Sequence, residues 1–354
     1  MISQPLNFIV IQERKRHRNG PAGRALLLPR RATVDKSALL CDYPARMRII
    51  RGVKNFNETL PRPVLTLGNF DGVHLGHQAI FKKVVERAKE IKGASVAFTF
   101  EPHPLKVLAP ERSPRLLNTF HGKMKLIEAA GIQVVICADF TREFADQNPG
   151  DFAREVLHEK IGAREVYVGY DYAFGKGREG SIESLRAMGR THGFEVGVVE
   201  AVQVGGTVVS SSLVRDVVSA GRVDEAVKLL GRYYAIEGTV VHGSSRGHEL
   251  GFPTANIHTS NELVPPYGVY AVMAHVGGRK LKGAASIGVR PTFDNGPMSL
   301  EVYVFDFDGD LYGKHVEVSF VARLRGEEKF PDAESLVRQI KKDVEGAKQI
   351  LQRV

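Results

Sequence analysis

Two hydrophobic periods alternate along the first two thirds of the chain. Val64-Leu65-Thr66-Leu67 is a short apolar run ending at Gly68, the pattern of a buried strand. From His77 to Lys92 the apolar positions are Ala79, Ile80, Phe81, Val84, Val85, Ala88 and Ile91, with Lys82, Lys83, Glu86 and Lys89 opposite. That spacing predicts an amphipathic helix. Further strands are predicted at Ser95–Phe100, Val134–Cys137, Glu165–Val168 and Glu195–Val199, and helices near Asp151–Ile161 and Ile182–His192. Strands alternating with helices imply parallel βαβ units in a doubly wound α/β sheet. Ligands of such sheets bind beyond the carboxyl ends of the strands. Two more helical stretches, Leu213–Ala220 and Val223–Leu230, lead out of this unit.

The helical period then stops at about Gly231. Tyr234–Val241, Gly268–Val276, Leu300–Phe307 and Val316–Val321 are short and β-rich, separated by glycine and proline clusters such as Pro265-Pro266 and Gly277-Gly278. In the last of them Val316, Val318 and Phe320 alternate with Glu317 and Ser319, as in a half-buried strand. This pattern predicts a small antiparallel barrel or sandwich. A closing helix from about Ala333 has Leu336, Ile340, Val344, Ala347 and Leu351 on one face and Asp332 placed as its cap. Three segments result: 1–46, an α/β domain over 47–230, and a β domain over 231–354.

Composition changes this picture at one end. The 354 residues are 43% hydrophobic, enough for two packed cores, and the net charge is +9. Residues 1–46 hold nine basic and three acidic side chains, so they carry +6 of it. A basic balance raises a nucleic-acid reading, but here it rests on that segment alone. Cys41 and Cys137 cannot form a disulfide framework, which points to a reducing compartment, the cytoplasm. No apolar run approaches the roughly 18 residues of a membrane span.

Candidate chemistry lies in two places. The segment Gly68-Asn69-Phe70-Asp71-Gly72-Val73-His74-Leu75-Gly76-His77 sits between the first strand and the first helix. A helix N-terminus offers unpaired N–H groups and partial positive charge to an anion. Gly68, Gly72 and Gly76 let a phosphate approach the backbone. His74 and His77, three apart, can face one ligand; a metal site competes, but no third ligand stands at an obvious spacing. In the β-rich part, the run from Gly243 to Asn256 contains Arg246-Gly247 and Gly251-Phe252-Pro253-Thr254-Ala255-Asn256, a glycine-rich loop that can cradle phosphates or be an ordinary turn. Glu301 shares a predicted strand face with Tyr303 and Phe305, either as a solvated acid at a sheet edge or as a base.

These motifs resemble those of bacterial bifunctional riboflavin kinase/FAD synthetases. The resemblance runs over about residues 47–354 and includes Thr99–Pro104, Val168–Gly177, Ser210–Arg215, Ile287–Phe293 and Phe305–Gly313. It implies an N-terminal Rossmann-like nucleotidyltransferase domain and a C-terminal β-barrel riboflavin kinase domain. Carried over, His74 and His77 would be catalytic and hold ATP phosphates, and Gly68, Asn69, Phe70, Asp71, Gly72, Gly76, Ser211, Ser212 and Arg215 would bind ATP. Pro102, His103, Asp171, Phe174 and Gly175 would place flavin and adenine. In the kinase, Gly243, Arg246, Gly247, Gly251 and Pro253 would bind ATP, Thr254 and Asn256 would hold Mg²⁺, and Glu301 would be the catalytic base. Ser212 stands where threonine is frequent, and His248 where arginine is. Ser181, where an acid often stands, is given no role. The implied partners are ATP, riboflavin and FMN, with no nucleic acid and no membrane; the oligomeric state stays open.

The residues fit the two reactions. The phosphate of FMN is already an anion and needs no base, only alignment with ATP and donors for the growing charge on pyrophosphate. The riboflavin hydroxyl does need a carboxylate within reach. A decayed flavin-binding protein is the alternative, against which the intact His74, His77, Thr254, Asn256 and Glu301 stand. Residues 1–46 match nothing in the family and show no period. They read as an over-extended start, with Met47 as the expected beginning, or as an Arg-rich targeting peptide or a disordered basic arm.

Overall fold

The computed structural model describes residues 47–243, 251–289 and 298–354. Its first sheet has six strands: β1 (Arg48–Arg51), β2 (Val64–Leu67), β3 (Ser95–Glu101), β4 (Val134–Asp139), β5 (Glu165–Gly169) and β6 (Glu195–Val199). They lie in the order β1-β4-β3-β2-β5-β6, and every pairing is parallel. Successive side chains of a strand point to opposite faces. Leu65, Leu67, Val96 and Phe98 therefore enter one core, while Val64, Ala97 and Val135 enter another. Helices α1 (Leu75–Glu90) and α2 (Phe120–Ala129) cover the second core. The first is covered by α3 (Phe152–Lys160) and α4 (Ile182–His192). Helices on both faces make the sheet doubly wound, as the alternation predicts.

Two local features depart from that reading. The helix expected near Asp151–Ile161 is wound as a π-helix over Phe152–Lys160. Ser181 has a structural role: its hydroxyl accepts from Ser184 N–H and Ser184 Oγ from Ser181 N–H, a reciprocal cap on α4. Strand β1 and helix α2 carry no strong period and were not predicted. A hairpin, β7 (Gln203–Val204) and β8 (Thr207–Val208), leads into α5 (Ser211–Ser219) and α6 (Val223–Leu230).

The remainder is a closed barrel of β9 (Tyr234–Val241), β10 (Thr254–Thr259), β11 (Gly268–Val276), β12 (Arg279–Val289), β13 (Met298–Val304) and β14 (His315–Arg325). The order is β10-β13-β12-β11-β14-β9, antiparallel throughout. Closure removes the free edges that an open sheet would present. Tyr270, Val272, Leu300, Val302, Val318 and Phe320 belong to one core that also takes in Val217 and Val218 of α5 and Ala226 and Leu229 of α6. The two helices that leave the first sheet thus share a hydrophobic core with the barrel.

Helix α7 (Ala333–Leu351) seals a second face, where Ala347 and Leu351 pack with Ala271, Met273, Phe305 and Val321. Asp332 caps it, Oδ1 accepting from Ser335 N–H at 2.7 Å. Its buried face also holds a charge: Asp343 accepts from Arg325 Nε at 3.0 Å and Nη2 at 2.8 Å. The strand expected over Leu300–Phe307 ends earlier, at Val304, because Asp306 turns the chain at φ 51°. Among the described residues, no helix is long and apolar enough to cross a membrane.

Candidate functional site

Strand order reverses around β2, with β3 on one side and β5 on the other. A crevice opens at such a reversal, beyond the strand ends. The Gly68–His74 turn leaves β2 there and adopts left-handed backbone at Phe70 (φ 52°), Gly72 (φ 82°) and Val73 (φ 39°). A Cβ on Gly72 would lie 2.5 Å from Leu117 Cδ1, so no side chain fits. His74 then caps α1, its Nδ1 accepting Gly76 N–H at 3.1 Å. That bond places the imidazole proton on Nε2. The rings of His74 and His77 stack at 3.7 Å. Burial, then the charges of Arg232 and Arg215, lower the His74 pKa to about 4. Burial, then His74 and Lys123, push that of His77 well below its ordinary value. Both rings are therefore neutral at pH 7. They line a cleft of about 240 Å³ together with Gly68, Gly76, Asp171 and Ser211.

The expected phosphate ligands fall into two groups. Ser210 and Ser211 line the cleft, and Ser210 Oγ caps α5 by accepting from Leu213 N–H at 3.2 Å. Ser212 is exposed and lies outside the lining of the cleft. Asp71 is buried as an anchor: its carboxylate accepts from Leu117 N–H at 2.9 Å and from Arg215 Nη2 at 2.8 Å. Arg215 Nε also donates to Arg115 O, and Ser211 Oγ donates to Asp71 O. Asp71 thus holds the arginine and the serine helix against the turn.

Sequence reading missed two cations here. Arg232 reaches back from beyond α6, its guanidinium donating to Gly72 O at 2.6 Å, Val73 O at 3.0 Å and Leu230 O at 3.2 Å. Lys123 is buried, with Nζ 3.4 Å from Asn69 O and 3.3 Å from Thr99 Oγ1, and burial lowers its pKa. Neither belongs to a motif, and 160 residues separate Arg232 from Gly72.

A larger cavity of about 640 Å³ adjoins the cleft and shares Gly68, Asp171 and Tyr172 with it. Of the residues read as flavin or adenine contacts, His103, Asp171, Phe174 and Gly175 line it, together with Asn69, whereas Pro102 is exposed and outside its lining. His103 Nδ1 accepts Leu105 N–H at 3.2 Å, and burial foremost lowers its pKa. Six aromatic side chains, Phe100, Phe140, Phe144, Phe152, Tyr172 and Phe174, form part of its wall. Phe100 lies 5.5 Å from Phe140 and 6.0 Å from Phe144, and Phe152 lies 5.9 Å from Phe174. Phe140 and Phe144 were missed: Phe144 lies on the short helical turn Arg142–Ala145, but Phe140 precedes its cap, so no helical period links the two.

The second site lies on the barrel. Asn256 of β10 pairs with Glu301 of β13, which pairs with Ser286 of β12. Glu301 is 1% exposed and Asn256 2% exposed, so the acid sits in the middle of the closed sheet and not at a solvated edge. Thr254 pairs with Tyr303, two residues along, and so shares that face. A Cβ on Gly243 would lie 2.1 Å from Asn256 Nδ2, so glycine alone admits this close approach. Gly251 has φ 82°, and Pro253 borders a cavity of about 60 Å³ with Thr254, Val302 and Tyr312. Arg246 and Gly247 lie outside the described residues, as do the 290–293 motif residues and residues 1–46.

Comparison with known proteins covers both units. The FAD synthetase family model matches residues 56–213 and the riboflavin kinase model residues 230–351. A "Bifunctional riboflavin kinase/FMN adenylyltransferase" from Haemophilus influenzae is 37% identical over 303 residues, 85% of this chain and 98% of its own. The protein of the same description from Escherichia coli K12 is 36% identical, over 84% of this chain and 96% of its own. A solved structure from Streptococcus pneumoniae, described as a macrolide-efflux protein, is 31% identical with a TM-score of 0.77, over 84% of this chain and 97% of its own.

Proposed function

Because the chain belongs to the bifunctional riboflavin kinase/FMN adenylyltransferase family, we propose that its two reactions run at the two sites described above. The chain carries both activities, phosphorylation of riboflavin and adenylylation of FMN. We assign the second to residues 47–230 and the first to 231–354. The observation that carries the assignment is the neutral, stacked His74–His77 pair in a cleft that shares a wall with an aromatic cavity.

In adenylylation the aromatic cavity takes the isoalloxazine of FMN, and the polar cleft takes ATP. A phosphate oxygen of FMN bonds to the α-phosphorus of ATP while the bond from that phosphorus to the pyrophosphate oxygen breaks. No proton has to be removed. The Nε2–H of His74 and the N–H groups opening α1 face the charge that develops on the leaving group. Neutral imidazoles suit this work, since a group with a pKa of about 4 remains a hydrogen-bond donor without losing a proton across the neutral range. Arg215, held by Asp71, adds positive potential from one side.

In phosphorylation the proton of the riboflavin primary hydroxyl passes to the Glu301 carboxylate as its oxygen bonds to the γ-phosphorus of ATP and ADP departs. Thr254 and Asn256 fit Mg²⁺: both offer hard oxygen donors on the Glu301 face, inside a cradle that a Cβ at Gly243 would fill. When bound with ATP, that ion offsets charge on the phosphates. Gly243, Arg246, Gly247, Gly251 and Pro253 complete the ATP loop in this reading. Cytoplasmic location belongs to it as well, and Cys137 is buried as a free thiol.

A chromatographic time course of riboflavin, FMN and FAD with ATP and Mg²⁺ tests the whole reading. FMN rises first and FAD follows. No product at any Mg²⁺ concentration would favour a flavin-binding protein that has lost catalysis.

A further inference from the structure

The joint between the sheet and the barrel holds a group of side chains that neither reaction uses. His121 on the first turn of α2, Glu237 on β9 and His315 at the start of β14 each offer one ligand atom, all within 4.8 Å of one another. Among the described residues, no other trio of His, Cys, Asp or Glu comes together in this way. Strand register accounts for two of the three residues. Glu237 stands opposite Glu317 and His315 opposite Thr239, so Glu237 and His315 are diagonal neighbours on one barrel face. His315 Nε2 lies 3.4 Å from Glu237 Oε2. Helix α2 then brings His121 across the joint, edge to face with His315 at 5.9 Å.

Glu237 is 8% exposed, and its surroundings favour its charge. Burial opposes ionisation, but the hydroxyl of Thr119, the ammonium of Lys125 and His121 together hold the pKa below the ordinary carboxylate value. Thr119 Oγ1 fixes Oε1. Oε2 faces Lys125 Nζ at 3.4 Å and the two imidazoles. The imidazoles are exposed, so a fourth ligand position opens to water. Two imidazoles with one carboxylate suit a borderline-soft cation and not Mg²⁺, which prefers oxygen throughout. Ligand atoms around tetrahedral Zn²⁺, at about 2.0–2.1 Å from it, stand roughly 3.3 Å apart. Rotation of side chains closes the remaining gap, and the half-exposed Lys125 ammonium can move to water.

We propose that His121, Glu237 and His315 bind one Zn²⁺ ion that ties the adenylyltransferase unit to the kinase barrel. This is a structural site, distinct from the Mg²⁺ used with ATP, and its ligands come from both sides of the joint. The full chain, stripped of metal and dialysed against Zn²⁺ with excess Mg²⁺, should retain one zinc per chain by elemental analysis. Co²⁺ in its place should show the visible absorption of a tetrahedral site. His121→Ala, His315→Ala and Glu237→Gln should each weaken binding by more than the roughly 10–100-fold that loss of an outer partner costs. Lys125→Ala should strengthen it, because a competing cation is gone; a cluster held only by its own hydrogen bonds and ion pairs would not produce that gain. Variants of His158 and His192, a stacked pair elsewhere at 5.5 Å, should leave binding unchanged. No retained zinc, or zinc that survives His121→Ala and His315→Ala, overturns the proposal.

Discussion

A single backbone hydrogen bond sets the chemistry of the adenylylation cleft. Gly76 N–H holds His74 Nδ1, so the proton sits on Nε2, and burial keeps the ring neutral. His74→Ala should abolish FAD formation and leave FMN formation near its original rate. Glu301→Gln should do the reverse, because amide nitrogen cannot take the hydroxyl proton. Loss of both products in either variant would count against two independent sites. Burial of His74 also has a consequence for stability. Its pKa is about 4 in the folded chain against 6.5 for the free side chain. The unfolded chain therefore binds the extra proton first as pH falls. This contribution is fully present above pH 6.5 and is lost progressively down to about pH 4, by on the order of 3 kcal/mol. Denaturant titrations across that range should show a shallower slope in His74→Ala; an identical slope would refute it.

Elements matter here chiefly where two of them are bolted together. Arg232, just past α6, holds the carbonyls of Gly72 and Val73 at the opposite end of the chemistry-bearing turn. Charge-assisted hydrogen bonds of this kind contribute about 1.5–3 kcal/mol each. Arg232→Ala should therefore slow FAD formation by about 10–100-fold, with FMN formation far less affected. Arg232→Lys should recover only part, since an ammonium cannot reproduce the fork. Equal losses at both sites would instead mark a general folding defect. On the other side of the barrel, Asp343 fastens α7 to β14 through Arg325. Asp343→Ala leaves that guanidinium without its partner and should cost about 3 kcal/mol in urea unfolding. A change below 1 kcal/mol would show the pair to be dispensable.

The two halves are less independent than two sets of motifs imply. Helices α5 and α6 share an apolar core with the barrel, and the Tyr234 hydroxyl of β9 lies within hydrogen-bond distance of Leu117 O and Leu263 O, so the segment whose Leu117 N–H anchors Asp71 is tied to the kinase half. Asn256, Glu301 and Thr254 sit on the barrel, whereas His74 and His77 sit at the strand reversal of the other sheet. This arrangement predicts separable chemistry on a mechanically joined frame. Heating the full chain, followed by calorimetry, should give one transition for both halves; two well-separated transitions would contradict the shared core.

The alternation of periods determined the doubly wound sheet, the barrel-like second half and the closing helix, since side-chain period depends only on neighbours along the chain. The positions of His74, His77, Thr254, Asn256 and Glu301 were legible for the same reason: each stands in a short motif at an element end or on a strand face. Only the tertiary structure decided what the charges do. Asp71 and Arg215, 144 residues apart, pair so that the carboxylate positions the guanidinium; Arg232 clamps a turn 160 residues away; Ser212 faces solvent while Ser210 faces the cleft. The aromatic cavity and the His121–Glu237–His315 group also arise from segments distant in sequence. No local period records such contacts, because packing of whole elements brings them together and burial then sets their protonation.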